Sequence, residues 1–127
     1  MDIFDVLKKK YNNKKVNILG TKYTIFITTT KEDKALLNCS GYCSYNLQKV
    51  VIRQDIDYFK DKNDEWITHD VKHTLRHELT HAFYNESGLM NDACQINGAW
   101  ALNEEMIDWL ATQTPKIFKV FNELDLL

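Results

Sequence analysis

Proline occurs once and glycine four times in 127 residues, too little of either for a flexible linker, a collagen-like repeat or a proline-rich recognition tract. Cysteine is nearly as scarce. Cys39, Cys43 and Cys94 make an odd count without a framework spacing, which excludes a disulfide scaffold and suits free thiols in a reducing compartment. Cys39 and Cys43 are also one residue too far apart for the usual C-x-x-C metal pair. No apolar run approaches the roughly 20 residues that span a bilayer. The start, Met1-Asp2-Ile3-Phe4-Asp5-Val6-Leu7, carries acids where an export signal has basic residues. These absences predict a chain without a membrane partner, in the cytoplasm of the producing or host cell. A formal charge of −2 argues against a general nucleic-acid surface. The local cluster Lys8, Lys9, Lys10, Lys14 and Lys15 reads as the solvated, dipole-complementing end of a first helix.

Hydrophobic residues make up 44% of the chain, with six tyrosines, six phenylalanines and three tryptophans, enough for one core. A single domain over 1–127 is expected. Periodicity predicts a helix over about 2–11, with Ile3, Val6, Leu7 and Tyr11 on one face. Strands are expected over Val16–Leu19 and Lys22–Thr28 around a Gly20-Thr21 turn, then over Tyr42–Asn46 and Val50–Arg53 as a hairpin. A polar loop around Lys60–Glu65 leads into a helix that Gly88 stops. The chain then forms a helix over about 98–113 and another after Pro115.

All four histidines, His69, His73, His77 and His81, stand four residues apart, and the last two frame a glutamate in His77-Glu78-Leu79-Thr80-His81. Positions four apart lie one above the other on a helix, so His77 and His81 can aim their imidazoles at one metal ion. Glu78 lies roughly 60–80° around the helix from that stripe, well placed for a water beside the metal and badly placed as a ligand. Leu75, Leu79, Ala82 and Phe83 form an apolar arc away from the histidines. A catalytic zinc commonly takes three protein ligands and leaves a fourth position to water. Asn103-Glu104-Glu105-Met106-Ile107-Asp108 follows His81 at a distance that lets the first helix end and a second return.

The run Thr74 to Phe83 resembles the extended consensus of the zincin metallopeptidases. Asn103-Glu104 with Asp108 resembles the N-E-x-x-x-D signature of the gluzincins. That resemblance implies Glu104 as the third ligand and Asp108 as the hydrogen-bond partner of a ligating histidine. On a helical wheel Glu104 borders the arc of Trp100, Ile107 and Ala111, whereas Glu105 is displaced by about 100°; Glu104 ranks first and Glu105 is its competitor. Residues 41–115 also resemble small phage and prophage HExxH proteins, distantly ImmA/IrrE-like. The features shared are Arg76-His77-Glu78 with His81-Ala82-Phe83, Glu86-Ser87-Gly88, and Asn103 to Ala111 followed by Pro115. An extra partner-recognising domain is not evident.

These resemblances imply an α+β fold with a compact zincin-like core, in which a small, mostly antiparallel sheet packs on the motif helix and the ligand helix follows. They also imply that the edge strand that takes an extended peptide lies around Gly41-Tyr42-Cys43-Ser44-Tyr45. The expected activity is hydrolysis of a peptide or protein substrate by a zinc-activated water, with Glu78 as general base. Tyr84, His73, Tyr42 and Tyr58 are open candidates for stabilising the oxyanion. His69 and His73 read more simply as solvated residues near a helix start. Two alternatives stand beside this reading: a non-catalytic, zinc-stabilised binding protein of a phage or mobile element, and a metal-free interaction domain with an accidental motif.

Overall fold

The computed structural model describes residues 2–88 and 103–127. Cys94, Trp100, Ala101 and the first five residues of the helix expected over 98–113 lie outside them. Asp2 opens helix α1 (Ile3–Tyr11) by accepting the amide of Asp5, and Lys8, Lys9 and Lys10 occupy its last turn, where cations suit the helix dipole. Strands β1 (Lys15–Ile18) and β2 (Thr21–Thr28) pair antiparallel. Their turn falls one residue earlier than expected, on Leu19 and Gly20. Both have positive φ, 51° and 99°, the combination that matches the twist of a two-residue hairpin.

Strands β3 (Gly41–Ser44) and β4 (Lys49–Arg53) form the expected hairpin, and the sheet order is β1-β2-β4-β3. Two of the three pairings are antiparallel, but the central β2–β4 pair is parallel, so the sheet is mixed. Its centre explains itself by burial. Val50, Val51 and Ile52 are all within 2% of complete burial, a continuous apolar run covered on both faces, as parallel pairs require. The chain reaches the far edge first, as β3, and then turns back inward as β4.

Tyr23, Ile25 and Ile27 alternate into the core as their period of two predicts,. Against them lies α2 (Asp64–Glu86), which buries Ile67, Val71, Leu75 and Ala82 on the sheet. It starts within the segment expected to be loop, because Asn63 caps it by accepting the Trp66 amide. It stops at Ser87, and Gly88 follows at φ +90°, the left-handed residue that ends many helices. Phe83 departs from its expected place on the apolar arc and is 43% exposed.

The last helix, α3 (Glu104–Glu123), corrects the expectation of a break at Pro115, which lies inside it. Proline removes the amide that would bond the carbonyl four residues back, here that of Ala111. That carbonyl instead accepts the Arg76 Nε–H from α2 at 2.6 Å. The helix continues because a neighbouring helix supplies the missing donor. Ile107 and Ala111, 0% and 1% exposed, seat α3 on α2. No helix among the described residues is long and apolar enough to cross a membrane.

Candidate metal centre

Two helices build the site, and each places its residues by helical spacing. On α2, His77 and His81 stack one turn apart with ring centroids 5.1 Å from each other. On α3, Asn103 accepts the Met106 amide as N-cap. This puts Glu104 in the first turn, where the exposed amides favour a carboxylate. Asp108 follows one turn later on the same face. The helices meet rung by rung: Glu104 spans His77 and His81, and Asp108 spans His73 and His77. In detail, the Glu104 carboxylate stands 2.9 Å from His77 Nε2 and 3.1 Å from His81 Nε2. Asp108 Oδ1 lies 2.8 Å from His73 Nε2 and 3.3 Å from His77 Nδ1.

His77, Glu78 and His81 each offer a donor atom within 4.8 Å of the others, close enough to hold a metal ion. Glu104, outside that trio, reaches both imidazoles directly from across the cleft. The two acids differ in setting. Glu78 is 6% exposed, and burial pushes its carboxyl up to about 7, against His77, which lowers it, and with Glu104, which raises it. Burial likewise lowers His81 from the ordinary histidine value, with Glu104 opposing and His77 adding to the shift. A neutral imidazole is the form that binds a metal. Asp108 is held low, first by its hydrogen bond with His73.

The donor set fits an imidazole- and carboxylate-binding ion. Ligand atoms around a tetrahedral ion with bonds near 2.1 Å stand about 3.4 Å apart. The two Glu104 oxygens stand 2.9 Å and 3.1 Å from the two Nε2 atoms, both shorter than that spacing, so these contacts would have to lengthen for such an ion to sit between them.

These groups face a cleft of about 730 Å³ whose opposite wall is β3, with Gly41, Tyr42 and Cys43, followed by Tyr45. Among the described residues β3 is an edge strand, paired only with β4. It approaches α2 closely. A Cβ on Gly41 would lie 2.9 Å from both Thr74 Cγ2 and the Val51 carbonyl oxygen, so glycine is needed there for space. The wall of the cleft therefore depends on a residue without a side chain.

Of the remaining candidates, Tyr42 and His73 line the cleft, while Tyr58 and Tyr84 do not. Tyr42 donates to Asp33, and Tyr58 lies under the Arg53 guanidinium. His69 is exposed, as expected, and Glu105 is exposed outside the cleft. His73 corrects the solvated helix-start reading: it is mid-helix, half-buried, and bonded to Asp108. Tyr45 was not a candidate from sequence, yet its hydroxyl lies 3.4 Å from His81 Nδ1. A tyrosine four residues after Gly41 carries no spacing signal toward His81, and only the β3–β4 turn brings it there. Comparison of the chain with models of protein families, with curated proteins and with solved structures finds no match in any of the three.

Proposed function

We propose that this chain is a zinc-dependent metallopeptidase with a compact zincin-like core. The observation that carries the reading is the convergence of His77 Nε2 and His81 Nε2 on the Glu104 carboxylate, with buried Glu78 beside them in a cleft walled by an edge strand. His77, His81 and Glu104 are the metal ligands in this assignment. Asp108 would accept from His77 Nδ1 and so hold the ring with Nε2 turned toward the metal, which would take the place of the hydrogen now shared with Glu104,. Zinc held there supplies a Lewis acid that polarises a carbonyl and eases loss of a water proton near pH 7. With a metal bound, Glu78 would take a proton from that water on its carboxylate and return it to the amine released when the C–N bond breaks. β3 offers its backbone edge to an extended peptide by strand addition, which lays a peptide across the cleft beside Glu78.

Glu78 favours catalysis over a purely structural metal site, which closes with four protein ligands and needs no base. Metal analysis of the purified chain should find about one zinc per molecule, and digestion of a broad peptide library should yield cleavage. Glu78→Gln should keep the zinc and lose at least roughly 100-fold in rate, the low end for removing a general base. Equal cleavage by Glu78→Gln would remove Glu78 from the reaction. A zinc-loaded parent that cleaves nothing would favour the binding-protein reading, and a chain that folds fully in chelator without binding zinc would sink both.

A further inference from the structure

We infer that His73 is a positioning residue of the metal centre, acting on His77 through Asp108; the inference rests on the assignment of His77 as a ligand. One oxygen, Asp108 Oδ1, serves two histidines one helical turn apart, 2.8 Å from His73 Nε2 and 3.3 Å from His77 Nδ1. A carboxylate oxygen only accepts, so both nitrogens must carry a hydrogen. His77 Nε2 in turn lies 2.9 Å from the Glu104 carboxylate, so without a metal both ring nitrogens of His77 face an acceptor. A metal ion bound at Nε2 would take the place of the hydrogen there, and the Nδ1–H held by Asp108 would keep the ring turned so that Nε2 stands with His81 Nε2 against Glu104,.

Asp108 cannot hold that position by packing. Its side chain is 54% exposed, and water competes for its oxygens from the open side. The shorter of its two bonds is to His73, whose side chain is 28% exposed and which projects from the well-packed middle of α2. His73 therefore anchors the carboxylate, and the carboxylate orients His77. The i, i+4 spacing of His73 and His77 is what lets one acid on a neighbouring antiparallel helix reach both rings. His69, one turn earlier still, is exposed and has no part in this chain of contacts. The histidine ladder thus has three working members among its four.

Zinc affinity of the full chain, measured by competition with a colorimetric chelator, tests this without reference to turnover. His73→Leu keeps bulk and removes the donor; it should weaken zinc binding about tenfold, the low end for losing a hydrogen-bond partner near a metal ligand. His73→Gln places an amide N–H near the position of Nε2 and should recover most of that loss. Asp108→Ala should weaken binding by about 10–100-fold, and adding His73→Leu to it should change affinity by less than twofold, because His73 has nothing left to act through. Full affinity in His73→Leu, equal weakness in His73→Gln and His73→Leu, or multiplied losses in the double variant would each overturn the inference while leaving the zinc reading intact. A parent chain that binds no zinc would overturn both.

Discussion

Removing the Arg76 donor should cost far more in this chain than in one whose Pro115 has been replaced by alanine. Arg76 Nε donates to the Ala111 carbonyl at 2.6 Å, the acceptor that Pro115, having no amide hydrogen, cannot satisfy. Ala111 is 1% exposed, so water does not readily take over. Arg76→Met retains most of the aliphatic stem and deletes a hydrogen bond from a charged group, worth about 1.5–3 kcal/mol, with the buried carbonyl left unpaired. Pro115→Ala restores the helical amide and should by itself stabilise α3, by up to about 3 kcal/mol. In that background the restored amide bonds the Ala111 carbonyl, and Arg76→Met should cost about 1 kcal/mol or less. The cycle should show a coupling of about 1–2 kcal/mol, well above the roughly 0.3–0.5 kcal/mol within which independent sites add. Urea unfolding of the four metal-free chains reads it directly. At a slope of about 1–3 kcal/mol per molar urea, Arg76→Met should lower the midpoint by around 1 M in the parent. Additive costs would refute the claim that Arg76 substitutes for the missing amide. The consequence reaches the site, because α3 carries Glu104 and Asp108.

Two further outcomes follow from local geometry. Gly41→Ala gains about 0.4–1 kcal/mol from a stiffer unfolded chain but drives a methyl to 2.9 Å from Thr74 Cγ2 and the Val51 carbonyl, an overpacking cost of about 1–3 kcal/mol. It should lower the thermal midpoint, and Thr74→Ser, which removes one of the two clashes, should recover part of the loss; a midpoint at or above the parent's would show that β3 yields freely. At Asp55, burial would raise the carboxyl, but hydrogen bonds from Arg53 and Thr30 prevail and hold it below its ordinary value. A depressed carboxylate stabilises the fold above its unfolded pKa, about 3.9, and loses that contribution as pH falls through the folded value. The stability gap between parent and Asp55→Asn should therefore be present at pH 7 and shrink below about pH 4, and equal gaps in urea unfolding at pH 7 and pH 3 would contradict this.

What could be read from the sequence was local in its physics. Spacing alone placed His77 and His81 on one face of α2, because helical geometry carries that information within five residues. The alternation of Tyr23, Ile25 and Ile27 marked the buried face of β2 for the same reason. What escaped depends on partners distant along the chain. The break expected at Pro115 fails because Arg76, 35 residues before the carbonyl it bonds, supplies the donor that proline removed. The parallel β2–β4 pair is set by the route of the chain, which no period of two encodes. His73 looked idle because its partner, Asp108, is 35 residues away and reaches it only once α3 has docked. Two of these three departures share one cause. The packing of α3 on α2 allows a proline within the helix, brings Glu104 between the two motif histidines, and gives His73 a partner in Asp108. Since Ile107 and Ala111 are the buried residues of α3 among those described, this docking rests on a narrow contact. A change at Arg76 or Ile107, neither of which is among the proposed ligands, should therefore disturb the candidate site by shifting α3.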